Sequence, residues 1–379
     1  MQKPFCMTSL QPPRYLALDV LRGMTVCFMI IVNNQGSGAT PFGPLEHAEW
    51  HGFTPTDLVF PTFLFVVGNA MAFSMHKFES MSDSQVLLKI LKRTIIIFLL
   101  GYLMYWFPFF HKTAEGAWEL SPISHTRILG VLQRIALCYA MAALMIRYLP
   151  ERAVKVVSII ILLGYWLVLY VGGDYSMTGN FGMPVDKWLL GEDHMYHGEG
   201  FAFEPEGVLS TLPSVVNVII GYYAGIFIRK KGNNEGAVMR LLLAGAVLMT
   251  IAYFWHSLFP INKKLWTSSF VLYTCGLDLL ILGALIFVIE IRNKRGWTWF
   301  FEVFGKNPLF IYLLADLLAT ILYTITTSNG QTLNRAINLS IFQKLAPGPL
   351  GSLLFSLTLM FVCWAVGWWM DKKKIYVRV

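Results

Sequence analysis

The chain is a succession of long apolar stretches separated by shorter polar ones. Ten runs of about 20 residues stand out, at 16–34, 57–76, 92–110, 128–148, 153–171, 208–228, 238–258, 267–290, 304–325 and 351–370. A helix rises about 1.5 Å per residue, so each run can cross roughly 30 Å of hydrocarbon. The pattern predicts an all-α polytopic membrane protein of about ten transmembrane helices, a single unit over 1–379 without a soluble domain. The segment 331–347, "QTLNRAINLSIFQKLAP", also has helical spacing of apolar residues. It is expected along the outer interface or over a cavity.

Composition agrees: 56% of residues are hydrophobic and 14% charged, with a mean hydropathy of +0.56. The net charge of +8 would fit a nucleic-acid partner if it were spread over a soluble surface. Instead, 22 of the 30 Lys and Arg fall in alternate connections, at span edges and in the two termini. The positive-inside rule puts that set, and both termini, in the cytoplasm, and an even number of spans agrees. Membrane lipids, and no nucleic acid, are therefore the expected surroundings, and a multi-pass place in the inner (cytoplasmic) membrane is the expected location. The sequence leaves room for a homodimer. Five scattered cysteines give no disulfide framework and no zinc spacing, so no metal is expected. The start, "MQKPFCMTSLQPPRY", has no small-residue cleavage site after a short apolar core. The first apolar run is expected to be a retained helix.

Polar chemistry gathers in the outer connections. They hold seven of the eight histidines and the acidic, aromatic stretch 172–207. The densest part is "EHAEWHGFTPTDLVFP", 46–61. Here "TPTD" reads as a helix start: Thr54 is the cap, Pro55 the first helical residue, and Asp57 the acid of a capping box. That role accounts for Asp57 fully. It leaves His47 and His51 unexplained. Loop histidines are ordinarily just solvated, but Glu46, Glu49 and Asp57 crowd these two, and a carboxylate can fix a histidine's tautomer for acid–base work. In "IIVNNQGSG", 30–38, Asn33 and Asn34 can satisfy the last helix carbonyls with Gly36 as terminator. Alternatively, an amide there faces a developing oxyanion.

Several polar groups fall inside spans: Asp19 and Arg22 on one helix face, Arg134, Asn217, Asp278 and Asp316. Each is costly in lipid and should face the bundle interior, as a structural ion pair, a ligand cavity or a proton path. There is no phosphate-binding Walker loop, no dinucleotide glycine fingerprint in a strand–helix context and no Gly-x-Ser-x-Gly elbow.

The blocks "LALDVLRG", "VNNQG", "HAEWHGFTPTDLVFP", "RILGVLQR", "WLLGEDHMYH", "FEPEGVLSTLPS", "INKKLWTSSF" and "GKNPLFIY" follow one another over nearly the whole chain. In that order they resemble the membrane domain of the heparan-α-glucosaminide N-acetyltransferase family and its bacterial relatives. The resemblance implies an acetyl-CoA-dependent N-acetyltransferase. Acetyl-CoA would bind from the cytoplasm, and a glucosamine-type amino sugar would arrive from the periplasmic side. It makes His47 the catalytic histidine and maps Asn33 and Asp57 onto the family's asparagine and acid. The sequence departs by starting without the lumenal N-terminal domain, by Asn34-Gln35 where an aromatic and glycines are common, and by His51 where asparagine is usual. The first departure shifts the expected acceptor from a polymer to a monomeric or short amino sugar.

On this reading His47 takes the proton of the attacking amine, Asp57 orients the imidazole and Asn33 donates to the oxyanion. Trp50 would stack on the sugar, with Asp193, His194 and Glu206 on its hydroxyls or ammonium. Arg22, Lys92, Arg93 and Arg134 would hold the cofactor's phosphates. Direct transfer is expected rather than an acetyl-His47 intermediate. The rival reading is an amino-sugar transporter with Asp278 and Asp316 as its proton relay, although no pair of corresponding broken helices supports it.

Overall fold

The computed structural model describes residues 15–113 and 117–377. The polar start, which the charge pattern assigns to the cytoplasm, lies outside the described residues. The helices are α1 (Leu16–Asn33), α2 (Val59–Ser74), α3 (Asp83–Trp106), α4 (Val131–Tyr148), α5 (Glu151–Gly172), α6 (Gly182–Leu190) and α7 (Val208–Lys231). They continue with α8 (Glu235–His256), α9 (Ser268–Leu285), α10 (Thr298–Lys306), α11 (Pro308–Thr324), α12 (Leu333–Ile337), α13 (Gln343–Leu345) and α14 (Pro349–Lys372). Strands β1 (Phe110–Lys112) and β2 (Trp118–Leu120) form a small antiparallel hairpin with His111 opposite Glu119.

Among the described residues, eight helices are long and apolar enough to cross a membrane, or nine if α10 and α11 form one bent crossing. The chain is thus an all-α, multi-pass membrane protein. The run expected at 92–110 lies on α3, 24 residues long, whose first half contains Lys89, Lys92 and Arg93. That helix stops at Trp106, short of the expected end. Phe107 precedes Pro108, and a residue before proline is driven out of the helical region; its ψ is 136°.

The bend between α10 and α11 is 84°. It falls at Asn307, again before a proline. The Asn307 amide accepts from Val377 N–H at 2.8 Å and donates to the Ile375 carbonyl at 2.9 Å. The end of the chain is thereby tied to the start of α1, because Gly305 packs on the Asp19 carbonyl and leaves no room for a β-carbon.

Helices α2 and α7 run in close contact through the middle of the bundle. A β-carbon at Gly68 would collide with the Val218 carbonyl, and one at Gly221 with that of Phe65. Such small-residue seams let backbones approach where lipid offers no hydrophobic drive to associate. Leu64, Phe65, Val218 and Phe270 are fully buried around this seam.

Segment 331–347 forms α12, a wide turn at Asn338–Phe342 and α13. It packs on the connection after α1: Ser37 N–H donates to Asn334 Oδ1 at 2.9 Å, and Asn338 Nδ2 donates to the Ser37 carbonyl at 2.9 Å.

Candidate active site

Two cavities lie end to end inside the bundle. One, of about 590 Å³, is lined by Asn33, His47, Asp57, Arg127, Glu206, Lys263 and Asp316, among others. The other, of about 640 Å³, is lined by Asp19, Arg22, Arg93, Lys306 and the tail residues Tyr376 and Val377. Both are also lined by Phe63, Leu132, Ile135 and Leu309. These four side chains, from α2, α4 and α11, form a septum between them.

Helix α1 reaches both cavities. Arg22, in its second turn, borders the second, and Asn33, its last residue, borders the first. Eleven residues of helix separate the two, roughly 16 Å at 1.5 Å per residue.

In the first cavity, the capping box of "TPTD" is fully formed: the Thr54 hydroxyl and N–H reach Asp57 Oδ2 at 3.1 and 3.0 Å. Ala48 N–H also donates to Oδ2, at 3.1 Å. The other oxygen, Oδ1, lies 2.7 Å from His47 Nδ1. One carboxylate therefore performs both roles that the sequence left as alternatives. Asp57 is wholly buried, whereas the His47 side chain is 43% exposed. A carboxylate only accepts, so Nδ1 bears the proton and Nε2 presents its lone pair.

Lys263 completes this group. Its Nζ lies 3.0 Å from His47 Nδ1, 3.1 Å from Nε2 and 3.9 Å from Asp57 Oδ1. Burial pushes its ammonium below the usual lysine range, against the opposing pull of Asp57 and Glu206. The loop before α9 holds it in place. Asn262, fully buried, accepts from Leu265 N–H at 2.8 Å and donates to His51 Nδ1 at 3.3 Å. Gly52 N–H donates to the Ile261 carbonyl at 2.9 Å. His51 thus staples two loops together. Burial, and then His256, lower its pKa.

Behind the histidine, Arg127 bonds Glu204 and, at 2.5 Å, Glu206. Its guanidinium also lies between the Tyr105 and Tyr196 rings, 4.9 Å from each centroid. Burial pushes the Glu206 carboxyl up, but Arg127, Arg134 and Lys263 outweigh it and hold it below the ordinary glutamate value. Glu204 goes the other way: burial raises it, and Arg127 offsets only part.

The remaining expected residues divide by position. Asn33 borders the first cavity, and among the described residues no hydrogen bond engages its side-chain amide; the neighbouring Asn34 is buried and donates to the Ile30 carbonyl at 2.8 Å. Arg22 and Arg93 border the second cavity. Arg93 stacks 4.5 Å over the Tyr139 ring, and its Nε has no hydrogen-bond partner among the described residues. Lys92 is exposed on α3 and lines neither.

Arg134 also lines neither cavity. It is buried at the start of α4, donates to the Pro205 and Gly207 carbonyls at 3.2 Å and to the Ser210 hydroxyl, and stacks on Trp266. Those bonds all leave from one Nη and clamp α4 to the start of α7; Nε and the other Nη have no hydrogen-bond partner among the described residues.

Trp50 lies outside the lining. Its indole N–H donates to the Tyr175 carbonyl at 2.8 Å, and its ring meets Phe203 edge-on. Asp193 is exposed, 3.7 Å from His125, and His194 Nδ1 donates to the Thr126 carbonyl at 2.8 Å. Asp316 borders the first cavity, whereas Asp278 is fully buried against the Thr62 hydroxyl, 2.6 Å away, and lines neither. No cluster of three or more His, Cys, Asp or Glu with metal-binding geometry occurs among the described residues.

Lys263, Arg127 and Tyr105 were not among the expected site residues. A signal existed for Lys263: "KK" is the one pair of adjacent basic residues in the outer connections, whose other Lys and Arg stand singly. For Arg127, position just before a span gave no such contrast.

The model of the family described as "Acyltransferase domain" matches residues 15–369. The chain is 28% identical to the heparan-alpha-glucosaminide N-acetyltransferase of Homo sapiens, over 80% of this chain and 52% of that protein. It is 27% identical to the heparan-alpha-glucosaminide N-acetyltransferase of Mus musculus, over 79% of this chain and 53% of that protein. The chain spans about half the length of these curated relatives.

Proposed function

The chain belongs to the acyltransferase-domain family, and from that premise we propose that it moves an acetyl group from acetyl-CoA to the amine of a glucosamine-type sugar, across the membrane, as one transmembrane acyltransferase unit. The observation that carries this reading is the pair of cavities meeting at a septum of four apolar side chains. A transfer between two compartments needs a donor site and an acceptor site that share a wall. The second cavity fits a phosphate-bearing donor: Arg22, Arg93 and Lys306 border it, Arg22 beside Asp19 and Lys306 beside Asp371, and the Arg93 Nε has no hydrogen-bond partner among the described residues. With both termini cytoplasmic, as the basic residues predict, this is the cytoplasmic side of an inner membrane.

The first cavity fits an amine. Four carboxylates border it: Asp57, Glu199 and Glu206 already face His47 and Lys263, Lys264 and Arg127, and Asp316, with no ion-pair partner among the described residues, is the one open to an incoming amine. His47 Nε2 accepts the proton that the attacking nitrogen sheds. Asp57 keeps Nδ1 protonated and stabilises the imidazolium, as the acid does in catalytic triads. Asn33 donates to the carbonyl oxygen as it gains charge, an effect worth about 2.7–4 kcal/mol in comparable acyl-transfer sites. A base and an oxyanion donor suffice for direct transfer, so no acetyl-enzyme is required on the path to the sugar.

The test is CoA release from acetyl-CoA by the purified protein, followed with a thiol reagent, with and without glucosamine. Glucosamine-dependent release together with N-acetylglucosamine in the product supports the reading. Neither above the protein-free rate would sink it.

A further inference from the structure

Lys263 holds an amine against the ring that the acceptor nitrogen has to reach: its Nζ lies over the His47 ring face, about equally far from both ring nitrogens, and a shift of its flexible side chain brings it to the Nε2 lone pair. Any amine deprotonated by His47 must come within hydrogen-bond reach of Nε2, and Lys263 Nζ is 3.1 Å from that atom. We infer that Lys263 is itself an acyl acceptor: without a sugar, its Nζ takes the acetyl group, and the acetylated side chain then blocks the acceptor site. This rests on the acetyl-transfer reading above.

The geometry is specific to this lysine. Its neighbour Lys264 also borders the first cavity but is paired with Glu199 at 2.7 Å. Among the described residues Lys263 reaches no carboxylate closer than 3.9 Å, and its nearest polar partners are the two ring nitrogens of His47. The Asn262 network and the Gly52–Ile261 bond hold its backbone, so the amine is presented from a fixed loop. Burial favours its neutral form, which is the nucleophile.

The step balances without a further reagent. The neutral Nζ forms the C–N bond to the thioester carbon, and the C–S bond breaks. The proton shed by nitrogen goes to His47 Nε2 and then to the departing sulfur. The products are Nε-acetyl-lysine at 263 and free CoA. A sugar amine binding at Nε2 displaces Lys263, so the two reactions compete for one base.

The experiment uses the purified full chain and acetyl-CoA with a deuterated acetyl group, with and without glucosamine. Chymotryptic peptides are read by mass spectrometry, and the glucosamine reaction is assayed in parallel. The expected result is label on Lys263 at least tenfold above Lys264, suppressed by glucosamine and lost in His47→Ala. Preincubation with acetyl-CoA alone should lower later turnover in proportion to that label, and Lys263→Arg should abolish this decline. An unlabelled Lys263 in protein that acetylates glucosamine overturns the inference and leaves the transferase reading standing. Equal labelling of Lys263 and Lys264, or labelling that survives His47→Ala, shows non-enzymatic acetylation and also overturns it. If neither sugar nor lysine is acetylated, the transferase reading falls as well.

Discussion

Asp57 holds His47 with one carboxylate oxygen and its own helix start with the other. Oδ1 lies 2.7 Å from Nδ1, while Oδ2 accepts from Thr54 and Ala48. This division predicts an unequal set of substitutions. In Asp57→Asn the side-chain oxygen stays with the two backbone N–H donors, which leaves the NH₂ group facing Nδ1. The ring must then accept there and protonate Nε2, so it no longer serves as a base. Asp57→Asn should therefore lose acetyl transfer nearly as severely as His47→Ala, on the order of 10²–10⁴-fold. His51→Ala, which loosens a loop staple, should lose much less. Rates of CoA release with glucosamine, measured for all three in one detergent, check this. Near-wild-type turnover for Asp57→Asn would show that it only caps the helix.

The second cavity separates two adjacent residues of α3. Arg93 borders it, whereas Lys92 is exposed. Arg93→Ala should raise the KM for acetyl-CoA at least tenfold with little change in the KM for the sugar. Lys92→Ala should change either by less than twofold. Salt should weaken acetyl-CoA binding less steeply in Arg93→Ala than in the wild type, because one charge–phosphate contact has gone. KM values over a sodium chloride series decide the matter; equal effects at the two positions would place the phosphate site elsewhere.

Thinning the septum should widen donor choice. Ile135→Ala removes a buried side chain shared by both cavities. It should cost about 2–5 kcal/mol of stability, as core truncations do. It should also raise the rate with propionyl-CoA relative to acetyl-CoA. Competition between the two donors, scored by product mass, tests this. An unchanged product ratio in a folded variant would remove the septum from donor selection.

Asp186 gives the fold a pH dependence. Burial, only partly offset by the Val208 N–H that it caps at 2.7 Å, raises its carboxyl to about 7. A folded-state value above the unfolded one means stability that is full below the unfolded pKa and lost as pH rises through the folded value. The loss between pH 5 and pH 8 should be about 2–3 kcal/mol. Asp186→Asn keeps an oxygen for the Val208 N–H and cannot ionise. Its Tm should therefore overtake that of the wild type as pH rises from 5 to 8. Parallel Tm profiles for the two proteins would contradict the assignment.

The sequence by itself determined what depends on neighbours in the chain. Apolar run length decides which segments can span a bilayer: eight of the ten expected runs coincide with helices long and apolar enough to cross, while 92–110 falls on the more charged α3 and 304–325 is broken by the bend between α10 and α11. Local backbone chemistry decides where helices begin, so "TPTD" announced its capping box. The alignment of separate blocks announced the family. Only the tertiary structure decided what depends on residues far apart. Lys263 meets His47 across 216 positions, and Phe63, Leu132, Ile135 and Leu309 form one septum from three helices. Arg134 showed the same limit from the other side. Its cost in lipid was legible, but whether a buried guanidinium meets a ligand or the Pro205 and Gly207 carbonyls is settled by how α4 packs against α7. Periodicity records which face of a helix turns inward; which partner waits there is fixed only when the helices meet.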